Sequence, residues 1–152
     1  MNNKYFTVCG IVEIDGKILL VRHTYGNAEG RILLPGGYVS EGELPTKAAE
    51  REIYEETQVK AKVRSVFSIQ FTPEQWCVIF LMDYISGTPI SDGWENSEIL
   101  LLTAEEAVQH NDITNLSRAV LQAYINNQNG CLEKSDYIRR SSTENDYAIF
   151  GI

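Results

Sequence analysis

The chain opens with two strand-length apolar runs, Tyr5 to Ile14 (YFTVCGIVEI) and Lys17 to Val21 (KILLV). They are separated by Asp15-Gly16, a residue pair suited to a two-residue hairpin turn, so the pattern predicts an antiparallel pair. Arg22 to Arg31 is polar and holds Gly26 and Gly30, as a loop does, and Ile32 to Leu34 reads as a short strand. From Pro45 the pattern changes. Pro45 fits a first helical turn, where its missing N–H costs nothing, and Thr46 to Glu56 holds good helix formers without glycine. A helix is predicted over about Pro45 to Thr57. Ala61 to Phe71 and Gln75 to Ile85 are β-rich runs joined by Thr72-Pro73-Glu74, a second antiparallel pair. Ser86 to Ser97 is a Gly/Pro/Ser/Asp loop, after which Glu98 opens a short apolar strand. Thr103 and Glu106 form a capping box for a helix reaching about His110. Leu116, Val120, Ala123 and Tyr124 recur at i, i+4, i+7 and i+8, so a helix from about Ile113 to Asn126 should lay one face on the sheet. Asn127 to Gly130 ends it. Strands then helix, strands then helices, is an α+β order.

A length of 152 residues with 43% apolar and 22% charged residues suits one globular domain, taken here as 1-130. The remainder, 131-152, is a mostly polar tail up to Tyr147-Ala-Ile-Phe150. It reads as a tail that is either mobile or docked by its tip on the body or on a neighbouring subunit, which leaves a homodimer open. The apolar runs are strand-length and no basic segment precedes a hydrophobic one, so no membrane span or signal peptide is readable and a cytoplasmic location is expected. Cys9, Cys77 and Cys131 are scattered and read as reduced, structural thiols. A net charge of -8 argues against a nucleic-acid polymer as ligand, because that binding needs a basic surface. It permits a small polyphosphate, which can approach as its metal complex.

The candidate chemistry lies between Leu34 and Val59. On the predicted helix, Glu52, Glu55 and Glu56 stand at i, i+3 and i+4 and project from one side. Like charges so placed destabilise a helix by roughly 0.2–0.5 kcal/mol per pair, so the cluster needs free solvation or a counter-ion. An oxygen-only ligand set favours Mg²⁺, with Mn²⁺ as the substitute, over zinc. Upstream, Pro35-Gly36-Gly37 is expected to make a tight turn whose carbonyls and N–H groups face cation and phosphate, and Ser40-Glu41-Gly42 a second turn.

The spacing Gly37, Glu43, Arg51-Glu52-Ile53, Glu55-Glu56 and Val59 resembles the Nudix box, G-x5-E-x7-R-E-U-x-E-E-x-G-U with U aliphatic, at eight of its nine fixed positions. Gln58 stands where the family has the Gly that ends the helix in the left-handed conformation. The resemblance implies the Nudix fold, a mixed β-sheet sandwiched between α-helices. It also implies hydrolysis of a nucleoside diphosphate linked to another group, whether ADP-ribose-like, a nucleotide sugar or a nucleoside triphosphate. Carried over residue by residue, it makes Glu52, Glu55 and Glu56 metal ligands, with Glu52 also a base, and lends the Gly36 carbonyl to the cation. Arg51 would pair with Glu43 and orient the cluster. Some family members take a base from a loop after the second strand pair, where Glu98 is the first choice and Glu95 the second. Arg22, His23, Tyr25 and Arg31 beside the box are candidates to face substrate, and Phe71 and Trp76 at the second hairpin to stack a base. Pro73, fifteen residues past Gln58, matches a proline common in family members that act on ADP-ribose. Two other readings stay open: a nucleotide-binding sensor without turnover, against which the intact cluster argues, and a hydrolase of a non-nucleotide diphosphate.

Overall fold

The computed structural model describes residues 2–126, 132–136, 148, 150 and 151. Strand β1 (Asn2–Ile14) turns through Asp15 and Gly16, with φ of 51° and 78°, into β2 (Lys17–His23). Both turn residues are left-handed, as a tight hairpin with the native strand twist requires. β3 (Ile32–Leu33) and β4 (Gly36–Ser40) precede helix α1 (Pro45–Thr57); β5 (Lys60–Phe71) and β6 (Trp76–Ser86) form the second hairpin. β7 (Asn96–Leu102), α2 (Ala104–Gln109), α3 (Asn115–Asn126) and the short β8 (Leu132–Glu133) complete the order.

Among the described residues the strands form one eight-stranded mixed sheet, β3-β2-β1-β6-β5-β8, with β4 added on β1 and β7 on β2. β1 is the hub. It runs parallel to β6 and antiparallel to β2 and β4, so its two ends serve two halves of the sheet. The apolar run of β2 splits by strand parity: Ile18 and Leu20 join one core with Val108 of α2 and Leu121 of α3, whereas Leu19 joins a second core with Ile53 of α1 and Phe80. Both faces of that strand are buried, which is why its sequence shows no polar alternation. The sheet is therefore held between α1 and the α2–α3 pair, the α+β arrangement that the sequence implied. No helix among the described residues is long and apolar enough to cross a membrane.

Three sequence expectations are corrected. Gly36 and Gly37 are not in a turn; they are strand residues facing Cys9 and Val8 across β4 and β1. Their missing side chains serve close approach instead, since a Cβ on Gly36 would sit on the Val8 carbonyl and 2.6 Å from the Cys9 Cα. β7 starts at Asn96 rather than Glu98, because Asn96 pairs with His23 and its buried amide donates to the Glu56 carbonyl at 2.9 Å. Arg22 and His23, placed in a loop by their polarity, are the last residues of β2.

The described part of the 131-152 segment packs against the chain's own sheet: β8 pairs with β5, Lys134 bridges to Phe150, and the Phe150 ring lies 6.1 Å from Phe80. Tyr147 and Cys131 lie outside the described residues, while Cys9 and Cys77 carry free thiols.

Helix α1 has the predicted bounds and ends on Gln58 at φ 60° and ψ 12°, with the Gln58 N–H donating to the Tyr54 carbonyl. That conformation costs an L-residue about 1–2 kcal/mol, part of which glycine's greater unfolded-state freedom offsets. Gln58→Gly is expected to raise stability by up to about 1 kcal/mol. A urea denaturation midpoint that stays put or falls would show that the glutamine side chain compensates for its backbone.

Candidate active site

The helix start fixes everything that follows. Leu44 precedes Pro45 as the extended N-cap residue, and the chain reaches it through the Ser40–Glu43 turn, closed by the Glu43 N–H on the Ser40 carbonyl at 3.0 Å. The Glu43 carboxylate accepts the Ser40 N–H at 3.0 Å and grips Arg51 with both oxygens, at 2.8 and 3.0 Å. Arg51 in turn reaches Glu52 at 2.9 Å, Glu55 at 3.1 Å and the Tyr38 carbonyl at 3.1 Å. Such bidentate, charge-assisted contacts are the strong kind, and this one aims the Glu52 carboxylate. Glu43 first and Glu52 after it hold the guanidinium proton more tightly than usual, against the opposing effect of burial, and Arg51 pulls the Glu43 carboxyl below the ordinary range.

Behind Glu52 the helix drives Glu56 into the protein. Its residue exposure is 1%; one oxygen accepts the Gly36 N–H at a long 3.4 Å, and the other, Oε2, has no hydrogen-bond partner among the described residues. Burial, followed by the charge of Glu52, pushes the Glu56 carboxyl up to about 9. A third carboxylate comes from another part of the chain. Asp92 Oδ1 accepts the N–H groups of Trp94, Glu95 and Asn96 at 2.9–3.1 Å, and this loop presents Glu95 beside the helix. One oxygen each of Glu52, Glu56 and Glu95 lies within 4.8 Å of the others. Burial raises the Glu52 and Glu95 carboxyls too, with Arg51 opposing the rise in Glu52. Three half-buried or buried carboxylates around an unpartnered oxygen form a site whose desolvation cost only positive charge can offset. Their oxygen-only donor set suits a hard divalent cation of the Mg²⁺ type.

Above the cluster opens a cavity of about 770 Å³, walled by Gly36, Gly37, Glu52 and Glu95 on one side and by His23 and Tyr25 on another. Gly37 is a steric requirement there. A Cβ at that position would stand 2.5 Å from the Glu52 carboxylate.

Comparison with known proteins assigns the chain to a family. The profile of the NUDIX domain fits residues 1–124. The chain belongs to the NUDIX domain family. It is 37% identical over 86 residues to an ADP-ribose pyrophosphatase of Methanocaldococcus jannaschii, covering 53% of this chain and 51% of that one. Against an RNA pyrophosphohydrolase of Bartonella bacilliformis it is 36% identical over 76 residues, 50% of this chain and 42% of that one. The chain thus spans about half the length of the curated relatives it matches. In fold it is similar to a NUDIX hydrolase from Nitrosomonas europaea, with a TM-score of 0.71 over 84% of this chain and 73% of that one at 23% identity.

Within this NUDIX domain the residues singled out from sequence fall into two groups. Gly36, Gly37, Arg51, Glu52 and Tyr25 border the cavity, Glu56 lies beneath it and Glu43 stands behind Arg51. Glu55 reaches the rim, but its side chain is 55% exposed and paired with Arg51, apart from the compact carboxylate cluster. The other group is elsewhere. Arg22 is paired with Glu98 at 2.9 Å and with Asp112 at 2.8 Å; Arg31 donates to the Asp112 and Ile113 carbonyls at 2.9 and 2.7 Å. These arginines fasten the segment before α3 to the end of β2, and none of Arg22, Arg31 and Glu98 borders the cavity. Phe71 and Trp76 pack edge-to-face, 5.2 Å apart, at the tip of the β5–β6 hairpin and also stand outside it. Glu95, ranked behind Glu98 from sequence, is the loop carboxylate at the cluster. The available signal was Asp92-Gly93, whose turn sets the register of the residues entering β7.

Two outcomes follow from this geometry. In the unfolded chain Glu56 ionises near 4.5, whereas the metal-free fold keeps its proton until about 9. The stability this group contributes is therefore complete below about 4.5 and is lost as pH rises toward 9. In EDTA, raising the pH from 6 to 9 should destabilise the wild type by at least about 1 kcal/mol more than Glu56→Gln, roughly 2–4 °C in Tm. Parallel melting curves would contradict the burial argument. Gly37→Ala should leave stability within about 1 kcal/mol, since a flexible carboxylate can yield. Because what yields is Glu52, Mg²⁺ binding by calorimetry should weaken at least about tenfold, as losses at ligand supports commonly do.

Proposed function

We propose that this NUDIX protein is a Mg²⁺-dependent pyrophosphohydrolase, with Mn²⁺ able to substitute. Its substrate would be a nucleoside diphosphate linked to another group, with ADP-ribose-like compounds, nucleotide sugars and nucleoside triphosphates as candidates. The observation that carries the reading is the unpartnered, buried Glu56 oxygen among three carboxylates within 4.8 Å of one another, at the base of an open cavity. The names of the two relatives, an ADP-ribose pyrophosphatase and an RNA pyrophosphohydrolase, support the class of bond cleaved.

Glu52, Glu56 and Glu95 would hold the cation, with Glu55 at the rim and the Gly36 carbonyl as further donors. When bound, it neutralises the diphosphate, acidifies a water and offsets charge on the leaving phosphate. The chain supplies the rest. Arg51, locked to Glu43, keeps Glu52 in one orientation and so avoids reorganisation cost. Glu95, with the oxygen it does not offer to the cation, would accept a proton from the attacking water, a role sequence reasoning gave to Glu52 and, for a loop base, to Glu98 first. Gly37 leaves the Glu52 carboxylate the space it occupies at the cavity, and Gly36 lets β4 lie close against β1.

Hydrolysis should cease in excess EDTA and return on adding Mg²⁺ or Mn²⁺, measured as phosphate or nucleotide release from a panel of ADP-ribose, nucleotide sugars and nucleoside triphosphates. Turnover persisting in chelator would sink the proposal. Glu56→Gln removes a charge while keeping shape, and should lower kcat by about 10²-fold or more with folding intact. Near-normal turnover in a variant that melts normally would reduce Glu56 to a structural carboxylate.

A further inference from the structure

Next to the carboxylate cluster, Tyr25 and Trp94 stand on the two chain segments that leave β2 and enter β7. Those segments are stapled: the Thr24 N–H donates to the Glu95 carbonyl at 3.2 Å, and the Thr24 hydroxyl donates to the Trp94 carbonyl at 2.6 Å. A second cavity, of about 410 Å³, is lined by Thr24, Tyr25, Trp94 and Glu95. It shares Tyr25 and Glu95 with the larger cavity, so the two adjoin. We infer that this smaller cavity is the subsite for the substrate's aromatic base, with the rings of Tyr25 and Trp94 as its stacking walls. The inference rests on the hydrolase reading above and adds the part of the substrate that is recognised.

The two walls differ in how they are held, and both leave a face open. The Tyr25 ring stacks on His23, with centroids 5.3 Å apart and planes 14° from parallel, yet the residue remains 53% exposed. One side is thus supported by His23 and the other is available. Trp94 is 81% exposed and, among the described residues, contacts no other aromatic ring. An indole so exposed forgoes the burial that normally stabilises it, while its backbone is fixed by Asp92 and Thr24. An exposed aromatic on an anchored backbone beside a cavity is suited to stacking a flat ligand. Charge sets the polarity of binding. Glu95 forms part of this wall and no Lys or Arg does, so the uncharged ring belongs here and the phosphates at the cation site. Glu95 follows Trp94 in the chain and belongs to the carboxylate cluster, so base and phosphate sites are adjacent, as a nucleoside phosphate requires. The alternative platform, Phe71 and Trp76, has its rings packed edge-to-face with each other and stands outside both cavities.

The test separates binding from turnover. AMP and UMP, with ribose 5-phosphate as the base-free control, are titrated into wild type, Trp94→Ala and Trp94→Phe by calorimetry, and kcat and KM are measured for the best nucleoside diphosphate substrate. Trp94→Ala should weaken nucleotide binding about 5- to 100-fold, the usual size of a lost base–aromatic stack, and raise KM in step with that loss, while kcat stays within about twofold. Trp94→Phe should retain binding within about threefold, and ribose 5-phosphate should not respond to either change. Nucleotide binding unchanged in Trp94→Ala, an equal loss for ribose 5-phosphate, or wild type binding AMP no better than ribose 5-phosphate would each overturn the inference. Should wild type hydrolyse no diphosphate yet bind AMP in a Trp94-dependent way, the hydrolase reading fails and the base subsite stands.

Discussion

Burial of the Glu56 carboxylate against Glu52 is the constraint to which the rest of this structure answers. An ionised carboxylate at 1% exposure with a single long hydrogen bond carries a penalty of several kcal/mol unless it is neutralised. Metal-free, the protein meets that constraint by keeping the proton, and the carboxyl moves up to about 9. A divalent cation at the cluster would meet it by supplying charge, so the feature that makes the helix costly is also what suits it to a cation.

The surroundings keep the cost from disrupting the fold. Glu43 and Arg51 form a fork that restrains Glu52 and draws Glu55 outward, so only two of the three helix carboxylates share the interior. Gly36 and Gly37 bring β4 close enough for a backbone N–H to reach Glu56 and leave space for Glu52. Asn96, fully buried, ties the helix's last turn to the start of β7 through the Glu56 carbonyl, and that bond fixes where Glu95 emerges. The cavity wall is thus carried by β4 and α1, with Glu95 on a loop held by Asp92 at the start of β7.

The aromatic residues illustrate how placement divides similar side chains between packing and recognition. Trp76 and Phe71 face each other across a hairpin and consume their surfaces in an edge-to-face pair. Tyr25 and Trp94 sit on opposed segments that converge at the mouth of the cavity, and Trp94 remains unpaired. Trp76 opens a β-rich run and is paired across the hairpin, whereas Trp94 lies in the loop that precedes β7.

Much of this protein is readable from its sequence because several signals are local. Strand-length apolar and β-rich runs gave β1, β2, β5 and β6, Pro45 with the helix formers after it gave α1, the Thr103 capping box gave α2 and the 3.6-residue spacing gave α3. The spacing of Glu43, Arg51, Glu52, Glu55 and Glu56 is likewise a property of one turn and one helix, so the arginine fork and the acidic face could be anticipated. What the sequence left undecided depends on partners distant in the chain. Gly36-Gly37 looks like a turn until β1 is laid beside it, and Arg22 looks free until Asp112, ninety positions on, closes on it. Glu98 and Glu95 are equivalent as residue types. Only the register of β7 on β2, which pairs Glu98 with Arg22 and leaves Glu95 just beyond the strand, decides which carboxylate joins the cluster. Local spacing fixes side-chain direction within one element, whereas convergence of separate elements is set by long-range pairing and packing, which no single stretch of sequence encodes.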